Sequence, residues 1–429
     1  MSDKNRVVII GGGFGGLNAA KALRAYDGEV MLIDKTNHHL FQPLLYQVAT
    51  GALSPGDIAM PIREILRNQK NTVVIMDKVT EINKEKKKLI LLKSGEIDFN
   101  YLIVATGARH SYFGHKEWEL SAPGLKTIND AIAIREMILS YFERIERQEI
   151  KTKNNVKLSF AVIGGGPTGV EMAGAIAELA QKSLCKNFRS IKPESASIYL
   201  IEGAPHILPM YPLSLSKRAE RDLKKMGVTI LTNKKVSNIN PQGIWIDEEF
   251  LEVENIIWAA GNEASPLLAS LKVPLDRTNR VLVNCDLSIP DHPYIFVIGD
   301  AAHAICKSGK TVPALAPAAI QQGIFVANII NKKYPSKQAK AFEYLDKGTL
   351  STIGEGKAVG MWHHIKFTGF LAWIFWCFVH IFYLIGFRNK MFVMMQWLFY
   401  FTTRKCGIRI IYKTYNSEKG THNERMISS

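Results

Sequence analysis

The chain has 429 residues, 47% of them apolar and 22% charged, which fits two or three globular domains and excludes a disordered, collagen-like or disulfide-stapled chain. Lys plus Arg total 54 against 39 Asp plus Glu, so the formal net charge is +15 and an anionic partner, nucleic acid or a membrane surface, is expected. The five cysteines (185, 285, 306, 377, 406) show neither C-x-x-C nor zinc-ligand spacing, which fits a reducing compartment and argues against a disulfide framework.

Met1 to Arg6 is polar and no secretory apolar region precedes the first strand, so no signal peptide is predicted. Val7–Ile10 is a short apolar run that reads as a buried parallel strand. A glycine loop follows, then a helix from Leu17 to about Tyr26 and a second strand, Val30–Ile33, ending at Asp34. Thr72 to Phe99 reads as a small meander, and Tyr101–Val104 as another buried strand ending at Ala105-Thr106-Gly107. A helix over Asp130–Gln148 and a basic linker, Lys151–Lys157, come next. The opening pattern then returns: strand Phe160–Ile163, a glycine loop, helix Val170–Leu184, and strand Ile198–Ile201 ending at Glu202. Ile256 to Gly261 echoes the earlier strand that ends in Ala-Thr-Gly, so the chain holds two related halves.

The first loop fits G-x-G-x-x-G at Gly11, Gly13 and Gly16, and the second at Gly164, Gly166 and Gly169. In such a loop the first glycine permits a tight turn, the second lets the backbone approach a pyrophosphate, and the third lets helix and strand pack closely. Asp34 lies 23 residues after Gly11, where a carboxylate can accept from both ribose hydroxyls. Glu202 holds the same place in the second half, and no Arg or Lys follows it before Leu208, so NADH is favoured over NADPH. A surface acid with no ligand is the plainer reading of Glu202. Two dinucleotide units suggest a tightly held flavin and a diffusible nicotinamide, with hydride passing from one to the other. Asp300, after strand Tyr294–Ile298, is placed to hold a flavin ribityl hydroxyl or to cap the next helix.

Together these motifs resemble the two-dinucleotide-binding flavoproteins typified by disulfide reductases. More narrowly, Asn37–Gly51, Gly164–Glu171 and the block ending Ala319-Ile320-Gln321-Gln322-Gly323 are similar to the type II NADH:quinone oxidoreductases, and the similarity runs from residue 6 to about 413. It implies an α/β fold of two Rossmann-like domains, the NAD domain inserted in the FAD domain, plus a C-terminal helical membrane-anchoring region. The implied segments are 1–110 and 284–345 for FAD, 111–283 for NADH and 346–429 for the membrane.

The implied non-covalent FAD site comprises Gly11, Gly13, Phe14, Gly15, Gly16, Asp34, Lys35, Val79, Ala105, Thr106, Gly107, Asp300 and Ala316. The NADH site comprises Gly164, Gly166, Pro167, Thr168, Gly169, Glu202, Ala260 and Gly261. Gln42, Tyr46, Pro317 and Gln321 are expected at the quinone, and Glu171, Gln321 and Gln322 in catalysis. Glu171 would tune the flavin or relay protons, or simply favour the helix dipole. Many relatives carry Ala-Gln where this chain has Ala316-Pro317, which removes one donor to a quinone carbonyl. The region His38–Gly51 has no cysteine, so no thiol relay is expected and electrons pass directly to an acceptor. That weighs against a sulfide:quinone oxidoreductase; a non-catalytic FAD/NADH-binding redox sensor is the other alternative. His38 and His39 are expected to pack near the flavin rather than bind metal.

Phe367–Phe387 is 21 residues without formal charge, about 31 Å as a helix, enough to cross a bilayer. A crossing would export Arg388, Lys390, Arg404, Lys405, Arg409 and Lys413, against the positive-inside rule. A helix pair lying in the interface is expected instead, with Trp373, Trp376, Tyr383, Trp397 and Tyr400 at headgroup level on an anionic lipid surface. A buried dimerisation surface is a third reading. The resemblance implies a peripheral protein on the cytoplasmic face of the inner membrane, a homodimer, with no nucleic-acid partner, since no recognition motif appears.

Overall fold

The computed structural model describes residues 5–152, 158–184, 187–189, 191, 196–332, 341–403 and 406–411. Cys185, Arg404, Lys405, Lys413 and most of the expected linker 151–157 lie outside them.

Strand Arg6–Ile10 is buried along Val7–Ile10 and pairs in parallel with Glu29–Asp34 on one side and Tyr101–Val104 on the other. Strands that are apolar on both faces need cover on both, and helices supply it in such parallel sheets. The chain returns to this sheet much later: His292–Val297 pairs in parallel with Tyr101–Val104, with Ser288–Ile289 antiparallel at the edge. The other edge is Thr72–Met76, parallel to Glu29–Asp34. This corrects the expected meander, which is confined to Val79–Asn83, Lys88–Leu91 and Gly95–Asp98. Alternation along Thr72–Met76 marks a strand but cannot identify a partner some forty residues away.

Between the two visits to the first sheet, a second parallel sheet forms in the order Val228–Leu231, Ala196–Ile201, Leu158–Ile163, Asn255–Trp258. Each sheet feeds a glycine loop and a helix. The first helix runs Phe14–Ala22, earlier than expected, and the second Pro167–Glu178, continuing as a π-helical turn over Leu179–Leu184. Both start inside the motif because their last glycine is a helical residue. The helix expected at Asp130–Gln148 spans Ile128–Thr152.

The C-terminal region is not all helical. Thr349–Gly354, Lys357–Trp362 and Ile365–Thr368 form an antiparallel sheet seated on the helix Pro167–Glu178. The seat is a glycine: a Cβ at Gly174 would overlap the Ile353 carbonyl oxygen. Backbone cannot swing aside as a side chain can, so Gly174→Ala is expected to lower stability by roughly 2 kcal/mol or more. A denaturant midpoint unchanged from the parent chain would contradict this seating.

The long apolar run at 367–387 is broken. Phe367 and Thr368 belong to a strand, the helix is Gly369–Tyr383, and a second helix runs Phe387–Thr403 after a turn at Gly386, whose φ is +89°. Fifteen helical residues reach about 22 Å. Among the described residues no helix is long and apolar enough to cross a membrane. The outward face carries Phe370, Leu371, Phe378, Phe382, Met395 and Leu398, all exposed.

The indoles do not stand outward as expected. Trp376 is 1% exposed, and Trp373, Trp397 and Tyr400 are half-buried. They turn inward, where Trp397 Nε1 finds Gln47 and the Tyr400 hydroxyl finds Glu178.

Candidate active site

The two glycine loops are built alike. Gly11 and Gly164 have φ of +104° and +110°, a region open to glycine. A Cβ at Gly16 would overlap the Gly11 carbonyl oxygen, and one at Gly169 would overlap that of Gly164. These third glycines let each helix lie against its own loop. At Gly13 and Gly166 a Cβ would meet nothing within 4 Å, so the second glycines face open space.

The carboxylates close the same clasp twice. Asp34 Oδ2 accepts the Gly12 N–H at 2.6 Å, and Oδ1 accepts from the Thr36 N–H and hydroxyl at 2.7 Å. Glu202 Oε2 accepts the Gly165 N–H at 2.6 Å, and Oε1 the Ala204 N–H at 2.7 Å. Glu202 is therefore a loop-bracing group, not a free surface acid. A carboxylate has about four lone-pair sites, so Glu202, with two filled, keeps about two for ribose hydroxyls, and Asp34, with three filled, about one. Pro167 and Thr168 open the second helix, and Ala260-Gly261 follows the strand Asn255–Trp258 beside the loop.

Around the first loop the structure gathers Ala105–Gly107, Gly299–Asp300 and the start of the helix Ala316–Asn331. That helix touches the first through two glycines, since a Cβ at Gly323 would overlap the Gly15 carbonyl oxygen. The Thr106 hydroxyl is buried with no hydrogen-bond partner, and a Cβ at Gly107 would meet nothing within 4 Å. An orphaned buried hydroxyl beside open backbone is what a bound polar cofactor would complete. Asp300 is not a helix cap: the short turn Gly299–Ala301 starts from Ile298 without a side-chain cap. Burial raises the Asp300 carboxyl above its ordinary range, opposed by the positive charges of Lys126 and Arg280. Lys126 is itself pushed down by burial. The motifs did not indicate Lys126, because its place opposite Asp300 is made by tertiary folding.

Several expected site residues take other duties. Gln322 is buried, and its Oε1 accepts the Gly299 N–H at 2.6 Å. Gln321 holds the Leu345 backbone at both ends, donating to its carbonyl at 3.0 Å and accepting its N–H at 2.9 Å. In this structure both amides clasp backbone, Gln322 that of Gly299 and Gln321 that of Leu345. Gln42 donates to the Lys126 carbonyl at 2.9 Å. Lys35 is exposed, and Val79 is buried at the start of the meander. His39 Nδ1 lies 2.9 Å from the Gly12 carbonyl oxygen, and its ring meets Phe14 edge-on, so it buttresses the loop from behind.

A cavity opens between the second glycine helix, the C-terminal sheet and the two tail helices. Tyr46, Glu171, Glu178, Thr352, Trp376, Trp397 and Tyr400 are among its lining residues; Gln42, Pro317 and Gln321 are not. Glu171 is the fifth residue of its helix and half-buried, and it lines this cavity. It accepts from the Ser351 hydroxyl at 3.3 Å and from the Thr352 backbone. Burial pushes its pKa up to about 8, so at neutral pH it is chiefly the neutral acid. A simple dipole role would leave it exposed and ionised.

Tyr46 is held by a chain of amides: Trp397 Nε1 donates to Gln47 Oε1 at 2.8 Å, and Gln47 Nε2 donates to the Tyr46 hydroxyl at 2.9 Å. The Trp376 indole N–H is buried without a partner. The cavity is thus mostly aromatic with a few convergent polar groups, the usual character of a small-molecule site. Ser351, Thr352, Trp376 and Tyr400 were missed from sequence because no short motif joins residues up to 350 positions apart.

The family model for pyridine nucleotide-disulphide oxidoreductases matches residues 5–323. The chain is 41% identical over 419 residues to the type II NADH:quinone oxidoreductase Ndh of Mycobacterium tuberculosis, covering 94% of this chain and 89% of that one. It is 40% identical over 421 residues to NdhA of the same organism, covering 94% and 88%. A structure of NDH2 from Plasmodium falciparum in complex with NADH shares the fold, with a TM-score of 0.86 over 96% of this chain and 100% of that one at 21% identity.

Proposed function

The chain belongs to the type II NADH:quinone oxidoreductases, within the pyridine nucleotide-disulphide oxidoreductase family, and from that premise we infer how its residues divide the reaction. It is an NADH dehydrogenase whose two electrons pass by way of a flavin to a membrane quinone. The flavin is FAD, held by the loop Gly11–Gly16, Asp34, Thr106 and Asp300, with NADH on the loop Gly164–Gly169 and Glu202. The orphaned Thr106 hydroxyl and the open backbone at Gly13 and Gly107 support that fit. When bound, the flavin supplies hydride acceptance and electron transfer to the quinone.

The protein's own residues do the rest. Asp34 and Glu202 fix each loop so that its amide N–H groups face a pyrophosphate. The cavity beside Glu171 takes the quinone ring, where aromatic walls exclude water and Glu171 offers a proton to a quinone oxygen. Tyr46 stands on the same wall. The outward apolar face of the tail helices and the net charge of +6 after residue 366 suit peripheral seating on an anionic lipid surface. The observation that carries the quinone reading is the Glu171 side chain lining an aromatic cavity between the nicotinamide-loop helix and the tail helices.

The test is anaerobic stopped-flow of the purified chain. NADH is expected to bleach the flavin absorbance, and a short-chain quinone in detergent to restore it. NADPH is expected to be at least about 100-fold less efficient in kcat/KM, since its 2′-phosphate would meet the Glu202 carboxylate. Bleaching without reoxidation by quinone removes the quinone role and leaves a flavin dehydrogenase.

A further inference from the structure

Reduction of a quinone by NADH consumes one proton from solvent: NADH, one proton and quinone give NAD+ and quinol. Of the two hydrogens added to the quinone, one arrives with the hydride and the other must enter from water. The cavity just described is walled by rings, so that proton needs a polar path inward. Glu171 has none of its own, because its recorded partners, Ser351 and Thr352, are internal.

A second carboxyl lines the same cavity. Glu178 stands seven residues after Glu171 on the same helix, about 10 Å along its axis. Its residue is 9% exposed. Oε1 accepts the Glu355 N–H at 2.6 Å, and Oε2 accepts the Tyr400 hydroxyl at 3.3 Å. Lys182, one turn on, lies 3.6 Å from Glu178 and 3.3 Å from the Glu355 carboxylate, with its own side chain 39% exposed. Gly354 leaves room for this carboxyl, since a Cβ there would come within 2.9 Å of Glu178 Oε1. Inward of Glu178, the buried Tyr46 hydroxyl lies in the field of both Glu171 and Glu178. Titratable groups therefore lead from solvent to the cavity: Lys182, Glu355 and Glu178 are in contact at the outer end, and Tyr46 and Glu171 line the inner end in the field of Glu178.

We propose that Glu178 carries the solvent proton into the quinone cavity, loaded at its outer side past Lys182 and Glu355 and discharged inward towards Tyr46 and Glu171. This rests on the quinone reading above. In each turnover one O–H bond of the Glu178 acid breaks, one O–H bond forms on the inner relay or the quinol, and the carboxylate regains its proton from water. Electrons arrive from NADH, so no further reductant is needed. Burial raises the Glu178 carboxyl above its ordinary range, opposed by the Glu355 N–H and the Lys182 charge. The groups facing it are Lys182 on its own helix, Glu355 in the sheet turn, Tyr400 on the second tail helix, and Tyr46 beyond.

The readout is the ratio of NADH:quinone turnover to NADH:ferricyanide turnover, since ferricyanide takes electrons without protons. Glu178→Gln keeps an acceptor for the Glu355 N–H but carries no exchangeable acid. It is expected to lower the ratio about 10–100-fold at pH 7 and to enlarge the solvent deuterium isotope effect on the quinone rate. Lys182→Met, at the half-exposed mouth, should lower the ratio in the same sense and serves if the first variant does not fold. An unchanged ratio in both variants overturns the proposal while leaving the quinone reading intact. An equal loss with both acceptors also overturns it, as a merely structural residue would behave so. Wild-type protein that reduces ferricyanide but no quinone overturns both readings at once.

Discussion

Glu171→Gln is expected to cut NADH:quinone turnover by about 10²–10³-fold, the usual worth of a positioned general acid. Glutamine preserves the volume and can still accept from Ser351 and the Thr352 backbone, so packing is kept and the proton alone is lost. Flavin bleaching by NADH should persist, which separates loss of proton donation from loss of binding. The pH dependence follows from burial. With a pKa of about 8, the acid form of Glu171 is available at pH 7 and disappears as pH rises past 8. Quinone turnover should fall over that range in the parent chain, and the variant should lack that limb.

Stability carries the same signature with a definite sign. The folded carboxyl titrates above its ordinary value of 4.5, so between pH 4.5 and about 8 the folded state holds a proton that the unfolded chain releases. Stability therefore falls with rising pH over that window, and the cost persists above it. Glu171→Gln removes the cost, so its gain in stability over the parent should be larger at pH 8 than at pH 5. Denaturant unfolding at the two pH values reads this directly, and a gain that is equal at both would contradict the neutral acid.

Gly13→Ala and Gly16→Ala are expected to fail in different ways, although they lie three residues apart in one motif. At Gly16 the added methyl overlaps the Gly11 carbonyl, a backbone atom that can move only if the loop opens. The variant should lose several kcal/mol of stability, at the severe end for single substitutions, and accumulate as aggregated or flavin-free chain. At Gly13 the methyl meets no protein atom within 4 Å. That variant should fold with a nearly unchanged thermal midpoint when both it and the parent are stripped of flavin. It should nevertheless bind FAD much more weakly, because the methyl occupies the pyrophosphate approach. The second loop repeats the contrast with a kinetic readout. Gly166→Ala should keep its flavin and raise the KM for NADH about tenfold or more, whereas Gly169→Ala overlaps Gly164 and should not fold. Loss of FAD from Gly166→Ala with normal NADH kinetics would reverse the assignment of the two loops.

The six motif glycines could be found by spacing alone, because each loop is one local unit, and Asp34 and Glu202 because each stands at the end of the next strand of its βαβ unit. The loops' identical geometry follows from that locality. Glu171 was visible as a candidate for the same reason, lying five residues from Gly166. The backbone partners of Gln321 and Gln322 were not legible, because an amide in a helix looks the same in sequence whether it faces a ligand or clasps a loop. Only the fold brings Leu345 and Gly299 against them. Thr72–Phe99 reads as one meander, and only folding assigns Thr72–Met76 to the first parallel sheet.

The tail shows the same division most clearly. Its apolar and aromatic content is written in composition, and so is its basic excess. Which rings face lipid and which face the protein depends on where Gly386 breaks the run and on the sheet Thr349–Thr368 beneath it. The sequence by itself determined two dinucleotide loops, their acidic partners and an apolar tail, because these reside in near neighbours or, for the acids, at the end of the next strand of a recognisable βαβ unit. Tertiary structure alone decided the cavity. Tyr46, Glu171, Glu178, Trp376 and Tyr400 come from distant segments, and the neutral state of Glu171 arises from burial that no local pattern encodes.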